Sequence, residues 1–419
     1  MDEIKQSINL NDLVYLPVSS GASSVLNRVQ RKFYPEKTSY VSSERIVIEI
    51  TGNQFIDMRN CAVKFSFNPI GAAANFASGA FTNIFNRVRV ISPTGKVISD
   101  LTNANLINKL NFRLKHSRLY VVQNSKTIGI NDGSATSVSN NDGFRDIVIP
   151  MMDISPFFDN EQYLPPVISE NMIIEFYLED FRKVCANAGG LSQYSITNPQ
   201  LIVDCVLMRD FMWKTINDMS SEYLVYEYED QICEESFMSE GSNRGNIQCT
   251  RPISNALELV VSLRDSAGVN SAVADSFGTI PIRVSESQSK NDTVIFRIGD
   301  IQLPQQEAVG GAEIWSMVQH SLQQLNKKDR SSCSLIAHDF ETTGIDNGGN
   351  ACYVMNLRMS KLFNNSGREI SNNQSAVATI QYHNQEGDNP TEHINGILNM
   401  FVRFISRIVI KNNILDVEN

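Results

Sequence analysis

Apolar and polar residues alternate most clearly near the start of the chain, in residues 45–50 and 61–68. Every second residue from Cys61 to Phe67 is apolar. A period of two predicts strands with one buried face. Thr51-Gly-Asn lies between the two segments and predicts a turn.

A second strand pair is indicated by residues 84–91 and 96–99. Ser92-Pro-Thr-Gly separates them, with proline and glycine at positions that favour a tight turn. The pattern predicts a hairpin.

A proline corner is expected between residues 146 and 180. A strand from Asp146 should stop at Pro150, which cannot donate a ladder hydrogen bond. Tyr163-Leu-Pro-Pro should form a stiff extended corner, because each proline restricts itself and the residue before it. A strand from Met172, rich in β-forming residues, should follow.

Two segments, 103–114 and 312–326, have the apolar spacing of helices. Their stripes are Leu106, Ile107, Leu110 and Leu114 in the first, and Trp315, Val318, Leu322 and Leu325 in the second.

The order of predicted elements repeats along the chain without sequence identity between the halves. A long strand at 200–210 closes the first half. Further strands are predicted at 223–229, 247–250, 256–264, 293–304, 353–359, 376–382 and 400–410. Each half has the size of an eight-stranded antiparallel sandwich. We place the boundary between Trp213 and Glu222.

The predicted division is an N-terminal arm at 1–39 and sandwiches at 40–215 and 216–419. The arm lacks sustained periodicity and carries Arg28, Arg31 and Lys32 close together. Two interpretations stand: an arm that lies along the inner face of a shell, or an ordinary mobile terminus.

Composition narrows the function classes. The 419-residue chain has a formal net charge of −10, which argues against a protein that mainly grips nucleic acid. No apolar run is long enough for a transmembrane helix, and we expect no secretory signal at the N-terminus. The cysteines follow no metal spacing and are expected to be reduced thiols, several of them in the core: Cys61, Cys185, Cys205, Cys233, Cys249, Cys333 and Cys352.

Candidate chemistry is sparse, so we assign no catalytic, cofactor-binding or metal-binding residue and expect no enzyme activity. His338, Asp339 and Glu341 could hold a metal, but a solvated turn is favoured. A strand near residue 230 carries an acidic cluster that allows a glycosidase interpretation. A charged outward strand face is favoured for this cluster, which consists of Glu227, Glu229, Asp230, Glu234 and Glu235. Trp213 and Trp315 are expected to be core anchors.

The order of several short motifs resembles that of one protein family. The motifs are Phe55-Ile-Asp-Met-Arg-Asn before the alternating strand, Ser92-Pro-Thr-Gly-Lys, Ile149-Pro and Tyr163-Leu-Pro-Pro. Residues 40–180 resemble the double jelly-roll major capsid proteins of DNA viruses, the adenovirus/PRD1-type lineage, notably those of small eukaryotic polinton-like viruses. The resemblance implies an all-β fold of two consecutive eight-stranded jelly rolls with a few short helices.

The resemblance further implies a pseudo-hexagonal homotrimer that tiles an icosahedral capsid around the genome. Neighbouring capsomers, penton proteins and minor capsid proteins would be its partners, without sequence-specific nucleic-acid binding. It would be located in the virion and assembled inside the infected cell; whether an internal membrane lies beneath the shell stays open. We expect Phe81–Val90 and the helix near Trp315 to pack at subunit contacts or between the sandwiches.

Two alternatives compete with this interpretation. A carbohydrate-binding viral surface or spike sandwich would need clustered exposed aromatic residues on its loops. Loops 131–143, 239–246 and 343–350 contain almost none. A jelly-roll enzyme would need a triad, metal set or carboxylate dyad, and no such motif stands out in the sequence.

Overall fold

The structure is a computed structural model. It describes residues 25–71, 74–76, 83–117, 119–120, 123, 137–138, 145–186, 191–210, 213–214, 218, 223–238, 244–265, 293–325, 352–357, 367–371, 374–381, 396–411 and 414–418.

The first half is built mainly from strands. They are β1 (Val25–Phe33), β2 (Ser39–Val41), β3 (Arg45–Ile50), β4 (Phe55–Gly71), β5 (Ala74–Phe76), β6 (Phe85–Ile91), β7 (Val97–Thr102), β8 (Ser137–Val138), β9 (Arg145–Pro150), β10 (Tyr163–Leu164), β11 (Met172–Leu178), β12 (Cys185–Ala186) and β13 (Leu191–Met208).

The second half has the same character. Its strands are β14 (Tyr223–Phe237), β15 (Arg244–Cys249), β16 (Ile253–Asp265), β17 (Thr293–Ile298), β18 (Ile301–Val309), β19 (Tyr353–Asn356), β20 (Arg368–Ile370), β21 (Ala376–Gln381), β22 (Gly396–Lys411) and β23 (Ile414–Glu418).

Helices connect some of these strands. They are α1 (Ala104–Lys115), α2 (Pro166–Ser169), α3 (Phe181–Val184) and α4 (Gly310–Leu325), with 3-10 helices at Met151–Asp153 and Pro156–Phe158.

Both halves have the same strand order. We number eight positions along each half, where β1 with β2, β9 with β10, and β19 with β20 each share one position. One sheet of each half has the order 1-8-3-6, as in β1-β13-β4-β10 and β14-β22-β16-β19. The other has the order 2-7-4-5, as in β3-β11-β6-β7 and β15-β21-β17-β18. Every pairing is antiparallel. This is the jelly-roll order expected for two consecutive sandwiches.

The proline corner follows the sequence with one difference. The strand β9 ends at Pro150, and Pro165 is extended, with φ −73° and ψ 152°. Pro166 instead begins the one-turn helix α2, because a proline at the first helical position gives up no hydrogen bond. The strand β11 then follows as predicted.

Both predicted helices are confirmed, and each lies between positions 5 and 6 of its sandwich. The hairpin of β6 and β7 is confirmed as well. Its turn has Gly95 at a φ of +82°, and the Lys96 amide donates to the Ser92 hydroxyl at 3.0 Å.

Three expectations need correction. Residues 25–33 of the predicted arm form the strand β1, which pairs with β13. The single strand predicted at 293–304 is a hairpin, because Gly299 takes a φ of +55° and reverses the chain between Ile298 and Ile301. Of the segment Phe81–Val90, the described part belongs to β6, a central strand between β11 and β7, so Val88 and Val90 are buried inside the sandwich.

The core of both sandwiches is continuous and apolar. The five cysteines whose side chains are described are buried, in agreement with the expected core positions: Cys61, Cys205, Cys233, Cys249 and Cys352. Trp213 and Trp315 are partly buried against the core, and the Trp213 ring meets the Phe55 ring edge-on at 5.3 Å.

Candidate functional site: the seam between the sandwiches

The two sandwiches meet mainly along one strand of the second sandwich, β14. It lies at the edge of its own sheet, with β22 as its ladder partner. The first sandwich covers this edge with β7, α1 and the 3-10 helix Pro156–Phe158. An exposed sheet edge invites pairing with other chains, and coverage removes that hazard. We call this contact the seam.

The seam combines an aromatic contact with polar bonds. The rings of Phe157 and Tyr228 meet edge-on at 5.1 Å. The polar bonds are Tyr228 Oη to Ile98 O (2.6 Å), Ser99 Oγ to Asp230 Oδ1 (2.6 Å), Asn111 Nδ2 to Gln231 Oε1 (3.1 Å), Asn160 Nδ2 to Glu227 O (2.7 Å) and Lys96 Nζ to Asp416 Oδ1 (2.7 Å). Directional bonds of this kind fix the relative placement of the two halves.

A buried ion cluster crosses the seam around Arg403 of β22. Its guanidinium contacts Glu229, lies 3.8 Å from Glu258, and lies 3.8 Å from Asp159 of the first sandwich. Asp159 is also bound by Lys115 Nζ at 2.9 Å. Only 11% of the Arg403 side chain is exposed. Charges buried this deeply need their partners, since an uncompensated buried charge costs several kcal/mol.

Within the acidic cluster of β14, Asp230 departs from the solvated face expected from the sequence, whereas the four glutamates are partly exposed or exposed. Asp230 is only 6% exposed, and Glu229 contacts the buried Arg403. The reason is that the first sandwich covers this strand. The cluster's polar partners are Arg407 for Glu227, Arg403 for Glu229, Ser99 for Asp230, Arg251 for Glu234, and Asn399 with Arg264 for Glu235.

Asp159 and Asp230 have opposite electrostatic environments at this seam. Burial acts to raise the pKa of Asp159, but the charges of Lys115, Arg403 and Arg59 outweigh it and hold the pKa at about 2. Burial raises the pKa of Asp230 to about 7, despite hydrogen bonds from Ser99 and the Gln231 backbone. The sequence does not distinguish them, because the partners of each come from distant segments.

A polar groove of about 600 Å³ lies on the second sandwich. Its lining has no aromatic side chain: Glu235, Ser236, Arg244, Asn246, Ile247, Gln248, Arg297, Gly299, Ser375, Val377 and Thr379. Sugar rings are commonly bound against aromatic faces, so the groove does not favour the carbohydrate-binding alternative.

The described part of the chain has neither a metal-holding set of side chains nor a membrane-spanning helix. Among those residues, no group of three or more His, Cys, Asp and Glu side chains could hold a metal. His338, Asp339 and Glu341 lie outside the described residues. No described helix has the length and apolar content required to cross a membrane.

Comparisons with known proteins agree with this topology. No protein-family model matches the sequence, and no curated protein matches it. Among solved structures, the chain is similar to PBCV-1 VP54 as fitted into the virophage Sputnik, with a TM-score of 0.61 and 9% identity over 96% of this chain and 98% of that one. The chain has the double jelly-roll fold.

Two further double jelly-roll structures are similar over nearly their whole length. A chain of the Sputnik virophage has a TM-score of 0.61 and 10% identity, covering 95% of this chain and 89% of that one. The Faustovirus major capsid protein has a TM-score of 0.61 and 10% identity, covering 94% and 92%. The expected fold class is therefore confirmed.

Proposed function

We propose that this protein is the major capsid protein of a DNA virus and assembles as a pseudo-hexagonal homotrimer. Such trimers would tile an icosahedral shell around the genome. The main support is the fold, which is shared over almost the full chain with the Faustovirus major capsid protein. Neighbouring capsomers, penton proteins and minor capsid proteins are the proposed partners, and the virion is the proposed location.

The internal seam suggests how copies would join. Within one chain, position 5 of the first sandwich, β7, packs with α1 against position 1 of the second, β14. Each sandwich has a second surface of this kind that is not used within the chain. In the second sandwich it is position 5, β18 with α4, and in the first it is position 1, β1. We propose that β18 and α4 of one copy pack against β1 of the next. A head-to-tail contact of this kind produces a ring when its rotation closes.

The difference in burial between the two corresponding helices carries this proposal. All residues from Ala104 to Leu114 of α1 are buried, including Lys109 and Arg113. The helix α4 buries Ile314 and Val318 but exposes Glu313, Gln319 and His320. The outer face of α4 is thus available for a partner, whereas α1 already has its cover within the chain.

The strand β1 is the complementary surface. Its residues from Leu26 to Lys32 are all exposed, and Leu26 and Val29 are 55% and 45% exposed. Apolar residues exposed on both faces of a strand in the single chain indicate a surface that a partner covers in the assembly. The strand carries Arg28, Arg31 and Lys32 and no acidic residue.

Charge supports the pairing of these two surfaces. The segments β18 and α4 contain Glu307 and Glu313 and no lysine or arginine. Glu307 and Glu313 are exposed, as are Arg31 and Lys32 of β1. Opposite charges across an interface steer association and disfavour wrong partners.

The first test is the mass of the purified protein by light scattering, with negative-stain images of the same peak. The chain has a mass of 46.9 kDa, so a homotrimer has about three times this mass, roughly 141 kDa. A particle of that mass with a hexagonal outline is the expected result. A monomer at all concentrations would contradict self-assembly of the isolated protein.

A charge exchange tests which surfaces meet. We expect Arg31→Glu with Lys32→Glu to weaken the trimer on the order of tenfold or more, and Glu307→Lys with Glu313→Lys to do the same. Combining all four substitutions in one chain reverses the charge on both surfaces, so this quadruple variant should restore the trimer. Lys411→Glu, an exposed cation on β22 outside the proposed interface, is the control. A quadruple variant no better than either double variant would refute this pairing.

A further inference from the structure

Asp230 lies where β14 meets the first sandwich. Its side chain is buried, and the hydroxyl of Ser99 on β7 donates to its Oδ1 at 2.6 Å. Across the ladder, Asp230 is opposite Phe404 of β22. The carboxyl is therefore enclosed by both sandwiches, and separating them would expose it to water.

The cations on the neighbouring strands are engaged elsewhere. Asp100, next to Ser99 on β7, is bound by Arg87 at 2.5 Å and lies 3.6 Å from Arg89, both on β6. The negative charge of Asp100 further raises the pKa of Asp230.

The charged groups on the second sandwich are matched in the same way. On β14, Glu229 follows Tyr228 and contacts Arg403 of β22. The hydroxyl of Ser406, also on β22, donates to Tyr228 at 3.0 Å. Lys96, before β7, binds Asp416. None of these ion pairs supplies a cation to Asp230, and its hydrogen bonds come from the Ser99 hydroxyl and the Gln231 backbone.

We propose that the seam is a proton-dependent contact, in which Asp230 is protonated while the two sandwiches are tightly docked and its ionisation loosens them. The proposal concerns the contact within one chain and does not depend on the capsid function. The seam would accordingly be tighter in mildly acidic solution than at neutral pH.

The sign follows from the two states of the carboxyl. Its docked pKa is about 7, above the ordinary value of 3.8, so the docked state binds the proton more tightly. The stabilisation is complete below the ordinary pKa and is lost as the pH rises toward the docked pKa. Between these limits the opening constant should rise by up to about tenfold per pH unit, and above pH 7 it should level off.

The test is hydrogen–deuterium exchange of the full chain from pH 5 to 8.5, corrected for intrinsic exchange. Peptides covering β7 and β14 should lose protection toward pH 7 and then level off. Asp230→Asn keeps an acceptor for Ser99 and carries no charge, so its protection should stay flat. Glu49→Gln on β3, an exposed carboxylate outside the seam, is the control and should keep the wild-type profile.

A second variant keeps the proposal testable if Asp230→Asn does not fold. The hydrogen bond from Ser99 lowers the pKa of Asp230, so Ser99→Ala should move the levelling-off to higher pH. Peptides from β1 report separately on contacts between copies. Wild-type seam protection that does not fall between pH 5 and 7, an equal fall in Asp230→Asn, or an unchanged profile in Ser99→Ala would overturn the proposal.

Discussion

The helices α1 and α4 occupy the same place in two copies of one fold and have opposite surroundings. The polar residues of α1 are buried and bonded: Asn105 to Glu179 at 2.8 Å, Asn108 to the Ile154 carbonyl at 2.8 Å, and Asn111 across the seam to Gln231. The outer face of α4 remains exposed. In a repeated fold, the neighbour rather than the helix itself decides whether a polar face meets water or protein.

The largest effect on stability should come from the buried ion cluster around Arg403 at the seam. Replacing Arg403 by Met leaves Asp159, Glu229 and Glu258 without their shared cation, and we expect a loss of about 3–5 kcal/mol in the free energy of unfolding. Denaturant titration measures it. Arg407→Met on the same strand is the control, because it removes an ion pair with Glu227 in which the Arg407 side chain is 46% exposed. It should lower the free energy of unfolding by at most about 1 kcal/mol. Equal losses in the two variants would show that the cluster has no special weight.

An intermediate effect is expected from Asp159 in acid. Its pKa is about 2, below the ordinary 3.8, so its stabilisation is present above pH 3.8 and is lost as the pH falls toward 2. The shift corresponds to about 2 kcal/mol. Unfolding midpoints measured from pH 5 to 2 should fall less steeply for Asp159→Asn than for the wild type. An unchanged slope would mean that other carboxylates control acid unfolding.

The last comparison separates the two helices directly and includes the smallest effect, that of Gln319→Ala. Asn111→Ala leaves the buried oxygen of Gln231 without its donor and should cost about 1–3 kcal/mol. Gln319→Ala, on the exposed face of α4, should change the stability of the isolated chain by no more than about 0.5 kcal/mol. Denaturant titration of both variants under identical conditions checks the comparison, which fails if Gln319→Ala costs as much as Asn111→Ala.

Local patterns were sufficient for much of the fold. The period-two segments, the Ser92-Pro-Thr-Gly turn and the helical stripes predicted elements correctly, because these signals arise from residues close in sequence. The hairpin at Gly299 was missed, since glycine before Asp300 also fits a continuous strand with a bulge. The strand β1 was missed because both of its faces are exposed, which leaves no alternation to detect.

The seam could not be read from the sequence in the same way. Asp230 and Glu229 lie among acidic neighbours on one strand, a pattern typical of a solvated face. The burial of Asp230 depends on β7, whose Ser99 is distant in sequence and approaches only when the sandwiches dock, and Glu229 contacts Arg403 of the distant strand β22. The solvated turn expected at His338, Asp339 and Glu341 and the domain boundaries remain predictions.

The exposed edge of β1 has one consequence for how a newly made chain avoids the wrong partner. If two copies of β1 aligned side by side, each would place Arg28, Arg31 and Lys32 against the same cations of the other. Like charges facing each other across a strand pair are unfavourable. A symmetric dimer through two copies of β1 is therefore disfavoured before assembly begins. The strand β1 can still pack against an acidic surface.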